Sequence, residues 1–271
     1  MKRLIFTMII GFATNLAFAQ STSSDSSKHR TDSTRNYHIS FGDDDDNNTD
    51  WHGGRHHHRH QKSTSGFNAG ITFARFDLGL ATLVDNGSFT LSQKNSFLNY
   101  RSWKTSTVGF DVIQFGYRFT DNFKINLSGG FDWTLIRLEK NGTILPDQPT
   151  LVFRPDSIHY SKNRFSASYF RIPLSFDIRS GEDAHGRRAH FVFGPEAGLL
   201  LGGMVKQISP EFGKKKFYDD YHFAKVRYGM FARLGYNGWG FFAKYYMNDM
   251  FENSPNQAGL KNFSFGLMCG F

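Results

Sequence analysis

Between Phe123 and Leu135 the chain alternates strictly. Phe123, Ile125, Leu127, Gly129, Phe131, Trp133 and Leu135 fall on one side, and Lys124, Asn126, Ser128, Gly130, Asp132 and Thr134 on the other. A period of two is that of a strand with one greasy face. The length is close to the ~9 to 11 tilted residues that carry a barrel strand across a bilayer. Seven more segments repeat the pattern. The first lies within Phe67 to Leu80, where apolar Phe67, Ala69, Ile71 and Phe73 give way to Phe76, Leu78 and Leu80 in the opposite phase. Such a flip implies a bulge or a strand end outside the membrane. The second spans about Thr105 to Phe119, the fourth Phe165 to Arg179 and the fifth Ala189 to Val205. The sixth runs from Ala224 to Leu234, the seventh from Trp239 to Met247 and the last from Phe263 to Phe271. Pro173 and Pro195 each remove one ladder donor.

The connections alternate in length. Long ones run from about Leu83 to Lys104, Glu139 to Arg164, Lys206 to Phe223 and Asn248 to Asn262, and short ones lie at Thr120 to Asn122, Ser180 to Arg188 and Asn237-Gly238. Short periplasmic turns opposite longer external loops mark a bacterial outer-membrane barrel. The expected fold is therefore all-β: an eight-stranded antiparallel transmembrane β-barrel over residues 66–271, located in the cell outer membrane. A secreted, lipocalin-like soluble barrel shares the period with its apolar face turned inward. The loop alternation, the terminal aromatic and the charges recurring on the polar faces favour lipid outside.

Asn237-Gly238 is the strongest hairpin signal, because a type I′ turn needs positive φ at both central residues. Two-residue closure pairs Tyr236 with Trp239, Leu234 with Phe241, Ala232 with Ala243 and Met230 with Tyr245 on the lipid face. A barrel of eight strands encloses room only for side chains. The polar face supplies Asp132, Arg171, Asp177, His190, Glu196, Lys225, Arg227, Arg233 and Lys244 as a plug of alternating charge. If Ile178 lies opposite Ala189, then Asp177 faces His190 and Arg171 faces Glu196; otherwise the last two sit hydrated above the membrane.

Ahead of the barrel, Lys2 and Arg3, the apolar run Leu4 to Phe18 and the end Ala17-Phe18-Ala19 form a secretory signal over residues 1–19, cut before Gln20. Residues 20–65 are polar, with the run Asp43 to Asp46, and are expected to be a disordered periplasmic leader. Seven of the chain's eleven histidines lie there, among them His52, His56, His57, His58 and His60. A tract without fixed outer-shell partners is a weak, unselective chelator, so no metal or other cofactor is assigned. Cys269 is the only cysteine, which excludes an internal disulfide and a CxxC motif. The barrel segment Gly66 to Phe271 carries a net +7, 24 basic residues against 17 acidic. In an exported chain this points to outer-membrane lipid and lipopolysaccharide as partners, with no nucleic acid.

Three motifs carry a family likeness: Tyr169-Phe170-Arg171-Ile172-Pro173-Leu174, Phe193-Gly194-Pro195-Glu196-Ala197-Gly198 and the final Phe263 to Phe271. Over about Gly66 to Phe271 the chain resembles the PorT-like outer-membrane β-barrel family of Bacteroidota. The resemblance implies an eight-stranded barrel, and a named member of that family is associated with secretion. His159, His185, His190 and His222 stand singly, and no nucleophile elbow, HExxH or phosphate loop is present. No residue is therefore assigned as catalytic, cofactor-binding or metal-ligating. The expected function is a non-enzymatic binding, assembly or secretion-associated envelope component without an open pore, with the barrel-assembly machinery and envelope or secretion proteins as partners. An outer-membrane enzyme is the alternative.

Overall fold

A computed structural model describes residues 38–41, 66–71, 75–183 and 187–270. The signal segment, the histidine tract, His185 and all of the leader except 38–41 lie outside the described residues. Among the described residues thirteen strands run in chain order: β1 His38–Phe41, β2 Gly66–Ile71, β3 Phe76–Asp85, β4 Ser106–Thr120, β5 Phe123–Arg137, β6 Gly142–Ile144, β7 Phe153–Pro155, β8 Lys162–Arg179, β9 Ala189–Ser209, β10 Gly213–Asp219, β11 Val226–Tyr236, β12 Trp239–Tyr246 and β13 Leu260–Cys269. β1 pairs with β2 in parallel, the one parallel ladder among the described residues.

The wall is antiparallel and continuous. From β3 it passes through β4, β5, β8, β9, β11, β12 and β13, and β13 pairs back onto β3 from Leu260 opposite Asp85 to Cys269 opposite Phe76. β2 continues the first strand along β4, so the ring has eight strands and closes on itself, which removes every open edge from the wall. Apolar side chains point outward all round it: Leu78, Leu127, Leu234, Phe241 and Leu267 are each exposed by 45% or more. Asp77, Asp111, Asp132, Arg171, Arg233 and Lys244 point inward, each exposed by 2% or less, as the in-out reading requires.

The phase flip in the first strand is an irregularity in the ladder. Ile71 lies opposite Ile113, while Phe76 lies opposite Phe110, so five steps on one strand match three on the other. Both steps are odd, so the two strands change phase together, keeping Phe67 and Leu78 outside and turning Asp77 inward. β4 carries a second shift, between Asp111 and Ile113 opposite β5. Around Pro173 the β8–β9 pairing stops after Pro173 opposite Glu196 and resumes at Phe176 opposite Phe193, the local weakening expected of the two prolines.

The Asn237-Gly238 hairpin has the expected register, Tyr236 opposite Trp239 through Met230 opposite Tyr245. Asn237 and Gly238 have φ of 54° and 79°, and the rings of Tyr236 and Trp239 lie outside the barrel. The register across the Ser180 to Arg188 turn differs. Ile178 lies opposite Phe191, two residues from the expected Ala189, because the turn closes with Ser180 paired to Ala189. The physical reason is turn length: a nine-residue connection of Gly and charged residues does not specify a register as a two-residue one does.

The four long connections fold over the end of the barrel as an apolar dome. Leu83, Leu98, Ile136, Ile144, Phe165, Val205, Phe223, Phe251 and Leu260 form its buried core. The rings of Phe165, Phe223 and Phe251 stack with centroids 4.7 to 6.1 Å apart. Polar ties join loop to loop. The Leu151 N–H donates to Ser254 Oγ at 3.0 Å, the Asp147 N–H to Asp219 Oδ2 at 2.9 Å, and Gln207 Nε2 to the Gly142 carbonyl at 3.1 Å. Burial, with the Asp219 carboxylate behind it, pushes the Tyr221 hydroxyl above the usual tyrosine range, so that dome side chain stays neutral.

Candidate functional site

Alternation places one wall's acids opposite another wall's bases. β3, β4 and β5 turn Asp77, Asp111 and Asp132 into the lumen, and β8, β11 and β12 turn Arg171, Arg227, Arg233 and Lys244 toward them. Arg171 is the hub. Its Nη1 donates to Asp77 Oδ2 at 2.6 Å, and its Nε donates to Asp111 Oδ1 at 2.9 Å with Nη2 at 2.8 Å from the same oxygen. Lys244 Nζ lies 2.8 Å from Asp77 Oδ2 and 3.3 Å from Asp132 Oδ1, bridging the two acids. Arg233 Nη2 donates to Asp77 Oδ2 at 3.3 Å. Arg171 and both Asp77 and Asp111 have 0% exposed side chains, so these ions survive burial by sharing partners.

The network continues toward the dome. Arg227 Nη2 donates to Asp132 Oδ2 at 2.5 Å, and its guanidinium lies between the rings of Tyr169 and Tyr246, 3.8 and 4.1 Å from their centroids. A cation between two aromatic faces is attracted by both quadrupoles. Tyr246 donates to Glu196 Oε1 at 2.6 Å, and Tyr169 donates to the Ala224 carbonyl at 3.0 Å, linking the network to the dome. Gly109 makes room for the hub, since a Cβ there would lie 2.7 Å from Arg171 Nη1 and 2.8 Å from Asp132 Oδ1. At the short-turn end Asp177 accepts from Arg179 Nε at 3.1 Å and lies 3.3 Å from His190 Nδ1.

Of the nine residues read from the sequence as a plug, Asp132, Arg171, Asp177, Glu196, Arg227, Arg233 and Lys244 are buried inside the barrel. His190 is half-buried at its mouth, where it meets Asp177 diagonally, two residues off the expected register. Two expectations are corrected. Arg171 ion-pairs with Asp77 and Asp111, while Glu196 is bound by Tyr246, because the two-residue register difference puts Gly198 opposite Arg171. Lys225 lies outside the lumen with its side chain 71% exposed, 3.6 Å from Glu252, because β11 begins only at Val226. Asp77, Asp111, Arg75 and Lys124 are buried charged residues that the nine-residue plug left out. Asp77 alternates between Phe76 and Leu78, a usable signal; Asp111 is hidden by the phase change that follows it.

His159 Nδ1 lies 3.2 Å from Asn141 Nδ2, and His222 Nε2 lies 2.6 Å from the Gln148 carbonyl, each a separate loop contact. Among the described residues no group of three or more His, Cys, Asp or Glu is arranged to hold a metal ion. Asp77, Asp111, Asp132, Arg171, Arg227, Arg233 and Lys244 are bound to one another, and their arrangement supports a rigid interior.

Comparison with known proteins places this barrel. No curated protein matches the chain. A solved structure with a likeness to it is Ail, the attachment invasion locus protein of Yersinia pestis, at 12% identity and TM-score 0.32, over 73% of this chain and 94% of that one. The family model described as the outer membrane protein beta-barrel domain matches residues 58–252, well over half of the chain, stopping short of the closing strand β13. The chain thus belongs to the outer membrane protein beta-barrel domain family, and the cell outer membrane is its location.

Proposed function

We propose that this protein is a closed, non-enzymatic barrel that serves the envelope as a binding, assembly or secretion-associated component through its surfaces. One observation supports this reading above others: an ion network whose residues are at most 6% exposed fills the lumen beneath an apolar dome, so the interior is built as a solid. A conducting channel needs polar groups free to exchange with water and ions, and here seven lumen charges, from Asp77 to Lys244, hold each other. Within the family we place the chain with the PorT-like group of Bacteroidota, exported under a signal peptide. The shared motifs support that placement structurally: Arg171 of the first is the hub, and Glu196 of the second is the acid bound by Tyr246.

Planar-bilayer recording of the purified protein is expected to show no steady porin-sized conductance; such a conductance would overturn the closed reading. A strain lacking the protein is expected to show a defect in envelope integrity or in secretion. Normal envelope and secretion, together with a hydrolytic change in lipid A or surface peptides that depends on the protein, would favour an enzyme instead.

A further inference from the structure

At the outer end of the wall, four cations stand in one row on the outward face of four neighbouring strands. Arg137 lies directly opposite Arg164, Arg164 opposite Lys206, and Lys206 opposite Lys216. Lys162 and Lys214 flank Ile208 two residues farther out on the same face, giving a second tier. Directly opposed residues of antiparallel strands have Cβ atoms about 4.5 to 5.5 Å apart, and like charges so placed repel. None of the six has a carboxylate partner among the described residues. Arg137 Nη2 donates to the Ser161 carbonyl, and the buried Nε of Arg164 has no hydrogen-bond partner.

What lies below the row identifies the ligand class. One row toward the membrane the same face carries Leu135, Ser166, Met204 and Tyr218. Below Leu135 comes Trp133, whose ring lies 5.6 and 6.1 Å from those of Phe110 and Phe131. At roughly 3.3 Å per residue, Arg137 stands about 13 Å along the strand from Trp133, a headgroup's distance above the ring that marks the lipid boundary. Acyl chains lying on the Phe131–Trp133 surface would carry their headgroup onto the cations. Guanidinium groups bind phosphate oxygens bidentately and ammonium groups bind them as point charges, and two tiers suit a headgroup with more than one phosphate. A free anion would have no use for the apolar wall beneath.

We propose that the row Arg137, Arg164, Lys206 and Lys216, with Lys162 and Lys214 above it, is a binding site for the phosphate groups of a glycolipid of the outer leaflet. The site goes beyond the closed-barrel reading and does not depend on it, since a conducting barrel could carry the same outer wall. Bound phosphate replaces the mutual repulsion of the row with shared charge-assisted hydrogen bonds. The hairpin of β9 and β10 is held against the barrel at the same stroke, because Lys216 belongs to a strand that pairs only with β9.

The test uses the full-length protein in phosphatidylcholine bicelles, with dansyl-labelled bisphosphorylated lipid A followed by energy transfer from tryptophan. Removing one such cation is expected to weaken binding roughly fivefold. The triple variant Arg164→Gln, Lys206→Gln and Lys216→Gln should therefore lose tenfold or more in affinity. Lipid A stripped of its phosphates should bind the wild type as weakly as the triple variant binds the phosphorylated lipid. Lys225→Gln, at an exposed position away from the row, should leave affinity unchanged. If the triple variant does not refold, Lys216→Gln alone carries the test, since that exposed side chain has no packing role in the wall. Equal affinity of wild type and variant, or equal binding of stripped and phosphorylated lipid, would overturn the site. Full displacement of lipid A by millimolar inorganic phosphate would overturn the assignment to a lipid.

Discussion

At Arg171 the lumen depends on a single side chain. Replacing it with Met leaves Asp77 and Asp111 without their hub in a site closed to water, and breaking a buried pair by removing one partner destabilises by about 3 to 5 kcal/mol. Glu196→Gln removes the charge from one hydrogen bond, that from Tyr246, and is expected to lose about 1 to 3 kcal/mol. Urea unfolding of the two variants measures the difference. A double-mutant cycle adds the partner: Glu196 should couple more strongly with Tyr246→Phe than with Arg171→Met, and the reverse ranking would restore the Arg171–Glu196 pairing that the sequence suggested. The charged set itself was legible, because seven of nine residues picked by alternation alone are buried in the lumen. Their partners were not, since a pairing register off by two moves an arginine from one acid to another without changing any residue's face.

Among the elements, two of the three short turns behave differently for a local reason. Gly238 has φ of 79°, in the left-handed region where a Cβ meets the following carbonyl, so Gly238→Ala is expected to destabilise the β11–β12 hairpin by about 1 to 2 kcal/mol. Gly181 lies in the longer turn with open space around it and no positive φ, so Gly181→Ala should be neutral within about 0.5 kcal/mol. Urea midpoints at matched lipid composition check both, and a larger loss at Gly181 would show that the longer turn controls register. The Asn-Gly pair was read correctly because its demand is local. The Ser180 to Arg188 connection carries no such demand, and its closure through Ser180 and Ala189 is decided by how β8 and β9 pack into the ring.

For the whole molecule, closure of the wall from β13 onto β3 makes the barrel independent of what precedes it. A chain beginning at Ser65 is expected to refold and keep heat-modifiable migration on gels, although it lacks β1, because β2 retains its ladder to β4. Loss of the folded band on truncation would show that β1 is needed to complete the first strand. The dome has its own logic. Loops of four connections bury Leu98, Ile144, Phe223 and Phe251 against strand ends that extend past the membrane belt, so the loop-side end is a packed core in its own right. Cross-loop bonds such as Leu151 to Ser254 join residues far apart in the chain, and no local pattern announces them.

Alternation by itself determined the strand count, the greasy outer face, the charged lumen and the hairpin at Asn237-Gly238, because each follows from a period of two or from the φ a single residue must adopt. Only the tertiary structure decided which acid holds which base, that the loops pack into a dome, and that Arg137, Arg164, Lys206 and Lys216 stand side by side. Those facts depend on the stagger of strands around a closed ring. A shift of two residues keeps every side chain on its face and changes every neighbour, so the sequence pattern is blind to it.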